Sequence, residues 1–233
     1  MIAADSLFAP VQSTTAFEEA LERLSVAIKL GLLEPGERLP AERELCEQLG
    51  IARSTLRQAL TALVQSGHLV ATRGRAGGTF VADAPPAPGP PSAALLAGWR
   101  DACDARLAVE LGVAALAAER AGADDVARLS RLVAVMAGTL DDFAAYRHAD
   151  VHFHIGLAEA TGSGALVAAM RGSQGAMTDL IAQIPHPPEI LEWSNMQHAR
   201  LVDCLERRDA GSAVRVMKDH LRGTEHVLAG LLP

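Results

Sequence analysis

Aromatic rings are scarce in this 233-residue sequence: five Phe, two Trp and one Tyr make up 3% of a chain that is 49% hydrophobic. A core under that restriction is built from Ala, Leu, Val and Ile, which favours closely packed helices over a β-sandwich. Cysteine is sparse as well. Cys46, Cys103 and Cys204 are odd in number, far apart and without a C-x-x-C pair, which argues against a disulfide scaffold and for a reducing compartment. No apolar run reaches the roughly 18 residues of a membrane span. No basic residue precedes Arg23, as a secretory signal would require. A cytoplasmic, mostly helical protein with no membrane partner is expected, and a domain size of roughly 150 residues predicts two domains.

The net charge of −7 speaks against nucleic acid as a partner, but it averages over an uneven chain. Acidic residues stop at Glu47 and return only at Asp83, and between them stand Arg53, Arg57, Arg73 and Arg75. From Ala84 onward, 13 basic residues face 18 acidic ones. This asymmetry predicts an anion-binding surface on the first part alone, with a solvated arginine face as the plain alternative.

Residues 84–92 hold five prolines and should form an extended spacer. The spacer separates a domain at 1–83 from one at 93–233. In the first, Thr15 and Glu18 form a capping box for a helix ending near Gly31. Pro40 stands at a first-helical position and opens a second helix over 41–49, and a third runs from 53 to 66. Strands at 68–72 and 78–82 flank a glycine-rich tip. That order is a winged helix-turn-helix. Beyond the spacer, helices are expected at 93–120, 124–138, 140–161, 163–184, 187–207 and 210–230, an antiparallel bundle of six to seven helices. The fold class is mainly α.

A helix-turn-helix presents the start of its third helix to the major groove. Arg53, Ser54 and Thr55 stand there, with Arg57 one turn on, offering guanidinium, hydroxyl and free amide groups to bases and phosphates. Arg43 would face the backbone, and Arg73 and Arg75 on the tip suit the minor groove or its phosphates. Surface ion pairs of Arg43 and Arg57 with Glu44, Glu47 or their neighbours are the competing reading.

Histidines cluster in the second domain. Asp150 and His154, four apart, share a helix face and pair an oxygen with a nitrogen ligand. His198 and His220 each lie eleven residues from Asp209, the expected cap between the last two helices. They should therefore stand level, roughly 16 Å from the turn. The four residues can converge on one metal ion in a bundle, although a lone helical histidine is more often a hydrogen-bonded surface residue. His148, His152, His186 and His226 are left under that reading.

Leu33–Leu45, Leu49–Leu60, Gly67-His-Leu69 and Gly77–Val81 resemble the GntR family of bacterial transcription regulators, over about 65 residues. The resemblance implies DNA contact by Arg43, Arg53, Ser54, Thr55 and Arg57, with Arg73 and Gly74 at the wing tip. That tip is slightly longer than the commonest family form. Arg106–Glu110, Asp150–His154, and His198 with Asp209 and Met217–Leu221 resemble the FCD domain of FadR-type members. That resemblance implies a divalent metal on Asp150, His154, His198 and His220, with zinc expected and nickel or manganese as alternatives. It also implies Arg106 as a pocket residue for a carboxylate effector, against a salt bridge to Asp104 or Glu110.

No G-x-G-x-x-G or G-x-S-x-G segment and no convincing base accompany the metal ligands, so an enzyme is not expected. The expectation is a ligand-responsive repressor, a homodimer on a pseudo-palindromic operator. Its rivals are a metal sensor, a metalloenzyme and an architectural DNA binder.

Overall fold

The computed structural model describes residues 16–74, 77–86, 96–181 and 186–231. Thr15 of the expected capping box, wing residue Arg75 and residues 87–92 of the spacer lie outside them. The chain divides into two compact units, Met1–Ala87 and Pro88–Pro233. The described residues hold nine helices and one two-stranded sheet. None of these helices is long and apolar enough to cross a membrane.

In the first unit, α1 (Ala16–Lys29) carries Glu18 and Glu19 in its first turn and Lys29 in its last, charges that suit its dipole. It buries Ala20, Leu24 and Ile28, a four-residue repeat that makes one apolar face. The second helix, α2 (Glu42–Leu49), begins one residue later than the proline at position 40 suggests. Ala41 is extended (φ −58°, ψ 145°) and serves as the cap, which puts Pro40 outside the helix. Gly50 ends α2 in the left-handed region (φ 66°), where a side chain would be strained, and its amide bonds the Cys46 carbonyl. That turn aims α3 (Arg53–Gln65), which buries Leu56, Ala59, Leu60 and Leu63. The three leucines pack with Leu24, Ile28, Leu39, Leu45, Leu69 and Val81 into one core.

The wing is the antiparallel pair β1 (Leu69–Thr72) and β2 (Gly78–Val81), with Leu69 opposite Val81 and Thr72 opposite Gly78. The segment before α2 completes its other edge: the Leu39 amide bonds the Thr79 carbonyl and the Val81 amide bonds the Glu37 carbonyl, both at 2.9 Å. Arg38 bonds the Gly77 carbonyl at 2.8 Å and lies over the Phe80 ring, tying the segment before α2 to the wing as far as its tip turn.

The second unit is all helical: α4 (Trp99–Arg120), α5 (Ala123–Ala137), α6 (Phe143–Ala160), α7 (Gly164–Ile181), α8 (Pro188–Glu206) and α9 (Ala210–Leu231). α4 packs on α6, α7 and α9, while α5 packs on α6 and α8. Ala114, Ala117 and Ala118 are fully buried on α4, and such small side chains let neighbouring backbones approach closely. α6 is buried on most of its circumference, from Tyr146 to Ala160, as the central helix of a bundle must be. It starts at Phe143 rather than 140 because Asp142 is its cap: the carboxylate accepts from the Ala145 amide at 3.1 Å. Asp209 caps α9, accepting from the Ser212 amide at 2.9 Å.

Candidate metal centre and nucleic-acid interface

Within the first unit, the α2–Gly50–α3 corner presents the start of α3 to solvent. Arg53 and Ser54 are exposed and Thr55 is half-buried. The cap residue Ala52 has no side-chain oxygen, so the first amides of α3 can bind an outside anion. Arg57 is exposed but engaged, its Nε donating to Glu42 Oε2 at 2.8 Å across the corner. Arg43 stands 3.8 Å from Glu47 along α2, an exposed pair of little strength. Both ion pairs anticipated for these arginines therefore form, and neither removes the guanidinium from solvent. Arg73 and Gly74 are exposed at the wing tip.

In the second unit, Asp150 and His154 on α6, His198 on α8 and His220 on α9 meet in the interior. Each offers one ligand atom, and all four atoms lie within 4.8 Å of one another. Asp150 Oδ1 is 3.4 Å from His198 Nε2 and 3.8 Å from His154 Nε2. The His198 and His220 rings are 4.5 Å apart, so equal spacing from Asp209 does bring them level.

A second layer holds these groups. Glu110 on α4 places Oε2 2.5 Å from His154 Nδ1, an ion-pair contact without hydrogen-bond alignment. Its Oε1 accepts from Arg106 Nε at 2.8 Å and from Gln174 on α7 at 3.0 Å. Arg147 bonds Asp150 Oδ2 and also donates to Gln174 Oε1 at 3.0 Å and Thr178 at 3.1 Å. Gln197 Oε1 sits 3.2 Å from His220 Nδ1, which leaves Nε2 for the cluster. Phe153 covers the His198 ring at 4.6 Å.

Burial alone would raise the Glu110 pKa, but His154 and Arg106 outweigh it and hold the group well below the carboxylate range. Asp150 is likewise raised by burial and held down by Arg147 and the three histidines. Burial pushes His198 down to about 3 and His220 well below 6.5, so both rings are neutral at pH 7, the form that binds metals. His154 Nε2 and both His198 nitrogens are buried without a hydrogen-bond partner among the described residues. Orphaned imidazole nitrogens beside a carboxylate are costly unless an electrophile meets them, so this donor set fits a divalent cation.

Beside the cluster lies a cavity of about 310 Å³ whose walls include Arg106, Tyr146, Arg147, Asp150 and His220. Arg106 thus forms the salt bridge to Glu110 and lines the cavity as well. Tyr146 bonds the Leu191 carbonyl at 3.0 Å, tying α6 to α8 across this wall. Sequence reasoning offered Glu110 only as a salt-bridge partner of Arg106, which it is, and missed its contact with His154 along with Arg147, Gln174 and Gln197. Arg147, one turn before Asp150 on the same helix, had a detectable signal; Glu110 to His154, Gln174 to Glu110 and Gln197 to His220 act across long sequence separations.

The FCD domain family matches residues 101–223, and the family described as bacterial regulatory proteins, gntR family, matches residues 16–81. A putative HTH-type transcriptional regulator RmpR from Mycobacterium gastri is 34% identical over 219 residues, covering 87% of this chain and 76% of its own. A putative L-lactate dehydrogenase operon regulatory protein from Escherichia coli K12 is 32% identical over 233 residues, covering 88% and 83%. The HTH-type transcriptional repressor NanR of Enterobacter sp. 638 is 31% identical over 216 residues, covering 88% and 80%. Among solved structures, E. coli McbR/YncC shares the fold, with a TM-score of 0.57 at 20% identity over 94% of this chain and 99% of that one.

Proposed function

The chain belongs to the gntR family of bacterial regulatory proteins and carries an FCD domain, and from that premise we propose a metal-dependent, carboxylate-responsive repressor. That it is a DNA-binding transcription regulator, not an enzyme, follows from the family and from its relatives. The metal, the effector, the repressing sense and the dimer are the proposal.

One observation carries it: a buried Asp150–His154–His198–His220 cluster with orphaned nitrogens, opening on a cavity that also holds Arg106 and Arg147. Charge makes the cluster and the cavity one device. Glu110 and Asp150 cancel Arg106 and Arg147, and burial keeps His198 and His220 neutral. A divalent ion on the four ligands would add positive charge that the interior does not balance. When bound, such an ion acts as a Lewis acid toward an oxygen ligand. Arg106 and Arg147 orient a carboxylate toward that surplus, and the enclosed site strengthens each contact.

In the first unit, Arg53, Ser54 and Thr55 read the major groove, Arg43 and Arg57 face phosphates, and Arg73, Gly74 and Arg75 serve the wing. A homodimer places two such corners on a pseudo-palindromic operator. The effector alters DNA affinity only by favouring one arrangement of the protein over another. Residues 84–92 join the domain at 1–83 to that at 93–233 and carry this coupling.

The test is an operator selected from random duplexes and titrated with full-length protein, with and without zinc and a carboxylate panel. Zinc together with an acid should release the operator, and chelation should abolish that response. A full response to zinc alone would replace this reading with a metal sensor, and no sequence preference would overturn it.

A further inference from the structure

The cavity beside the cluster has a charged floor and an apolar rim. Arg106, Arg147, Asp150 and His220 are all less than a tenth exposed, whereas Ile190 and Trp193 on α8 are 43% and 45% exposed. These two side chains line the same cavity, so their apolar faces stand in water at its mouth. Trp193 is held there by a close approach. Its ring lies against Gly223 of α9, where even a Cβ would come within 2.7 Å of the indole. Phe143 extends the apolar wall, stacked on His186 with ring centres 3.4 Å apart. Burial pushes His186 down to about 4, so that ring brings no positive charge near pH 7. Among the described residues, the charged group at the rim is Glu189, an exposed carboxylate.

We propose that the effector is an amphipathic monocarboxylate, its acid on the buried floor and a chain of several carbons lying along Trp193 and Ile190. The inference rests on the reading of this cavity as a carboxylate site and narrows its class. A compact three-carbon hydroxy acid would leave most of the roughly 310 Å³ to water and the rim apolar surface exposed. A second carboxylate at the far end would meet Glu189 rather than a cation. An alkyl or aryl tail, by contrast, covers the indole and displaces water from it.

Calorimetry on zinc-loaded full-length protein with unbranched acids from acetate to octanoate, plus lactate and hexanedioate, tests this. Affinity should rise roughly four-fold per methylene, the effect of about 0.8 kcal/mol for each buried CH₂. Trp193→Ala should flatten that slope while sparing acetate, and Glu189→Gln should improve hexanedioate but not hexanoate. Gly223→Ala, which crowds the indole without removing it, should also flatten the slope. A slope near zero, or lactate or hexanedioate binding more tightly than hexanoate, overturns the inference and leaves the carboxylate reading intact. If no acid in the series binds, both fall.

Discussion

A buried imidazole is useful to a cation only if one nitrogen is turned toward it and kept there. Gln197 does this for His220 and Glu110 for His154, while Asp150 is steadied by Arg147. Gln197→Ala is therefore expected to weaken zinc binding at least about tenfold without touching a ligand, the usual cost of losing such a support. A competition titration against a chromophoric chelator measures it. His198→Ala, which deletes a ligand, should leave the purified protein with markedly less metal by elemental analysis, and equal metal in both would remove His198 from the site. Asp150 and His154 were legible because four residues make one helical turn, and His198 with His220 because equal distance from Asp209 places them level. Glu110 was legible only as a partner of Arg106, and Gln174 not at all. Their partnership spans 64 residues and depends on how α4 and α7 pack, which no local pattern records.

At the scale of elements, the corner between α2 and α3 depends on Gly50. Gly50→Ala should cost the N-terminal unit roughly 1–2 kcal/mol, the price of a left-handed backbone with a Cβ, read from its thermal unfolding. Arg53→Ala should cost roughly 1–3 kcal/mol of operator binding if the side chain reaches a base edge. Arg57→Ala removes the exposed ion pair to Glu42 and, on the proposed reading, a phosphate contact; the stability change should be small, and operator affinity should lose part of its salt dependence. Helix existence was readable from the spacing of Leu, Ala and Val, but helix starts were less so. Thr139, Asp141 and Asp142 all have cap-competent side chains; Asp142 takes the role, while the Thr139 hydroxyl bonds back to the preceding helix. Pro40 suits both the first helical position and the residue before a cap, and the bonds of Leu39 to Thr79 and of Val81 to Glu37, which keep the preceding segment extended along the wing, favour the second.

For the molecule as a whole, acid is the simplest challenge. His186 titrates near 4 when folded and near 6.5 when unfolded, because burial and then Arg147 disfavour its charge. Between these values the unfolded chain holds more protons, so stability is complete above about 6.5 and declines as pH falls toward 4. Unfolding temperatures by circular dichroism at pH 7, 5.5 and 4.5 should show the decline, and His186→Asn should soften it. The two interior ion pairs have a longer reach. Arg106–Glu110 and Arg147–Asp150 are laced together by Gln174, so losing one member strands a charge at a cost of roughly 3–5 kcal/mol. Replacing Arg106 and Glu110 jointly by Met and Leu should be far milder than either change alone. Descendants of this sequence cannot drift through that quartet one codon at a time. Their lineages should fall into discrete types, each with a whole set of partners exchanged together.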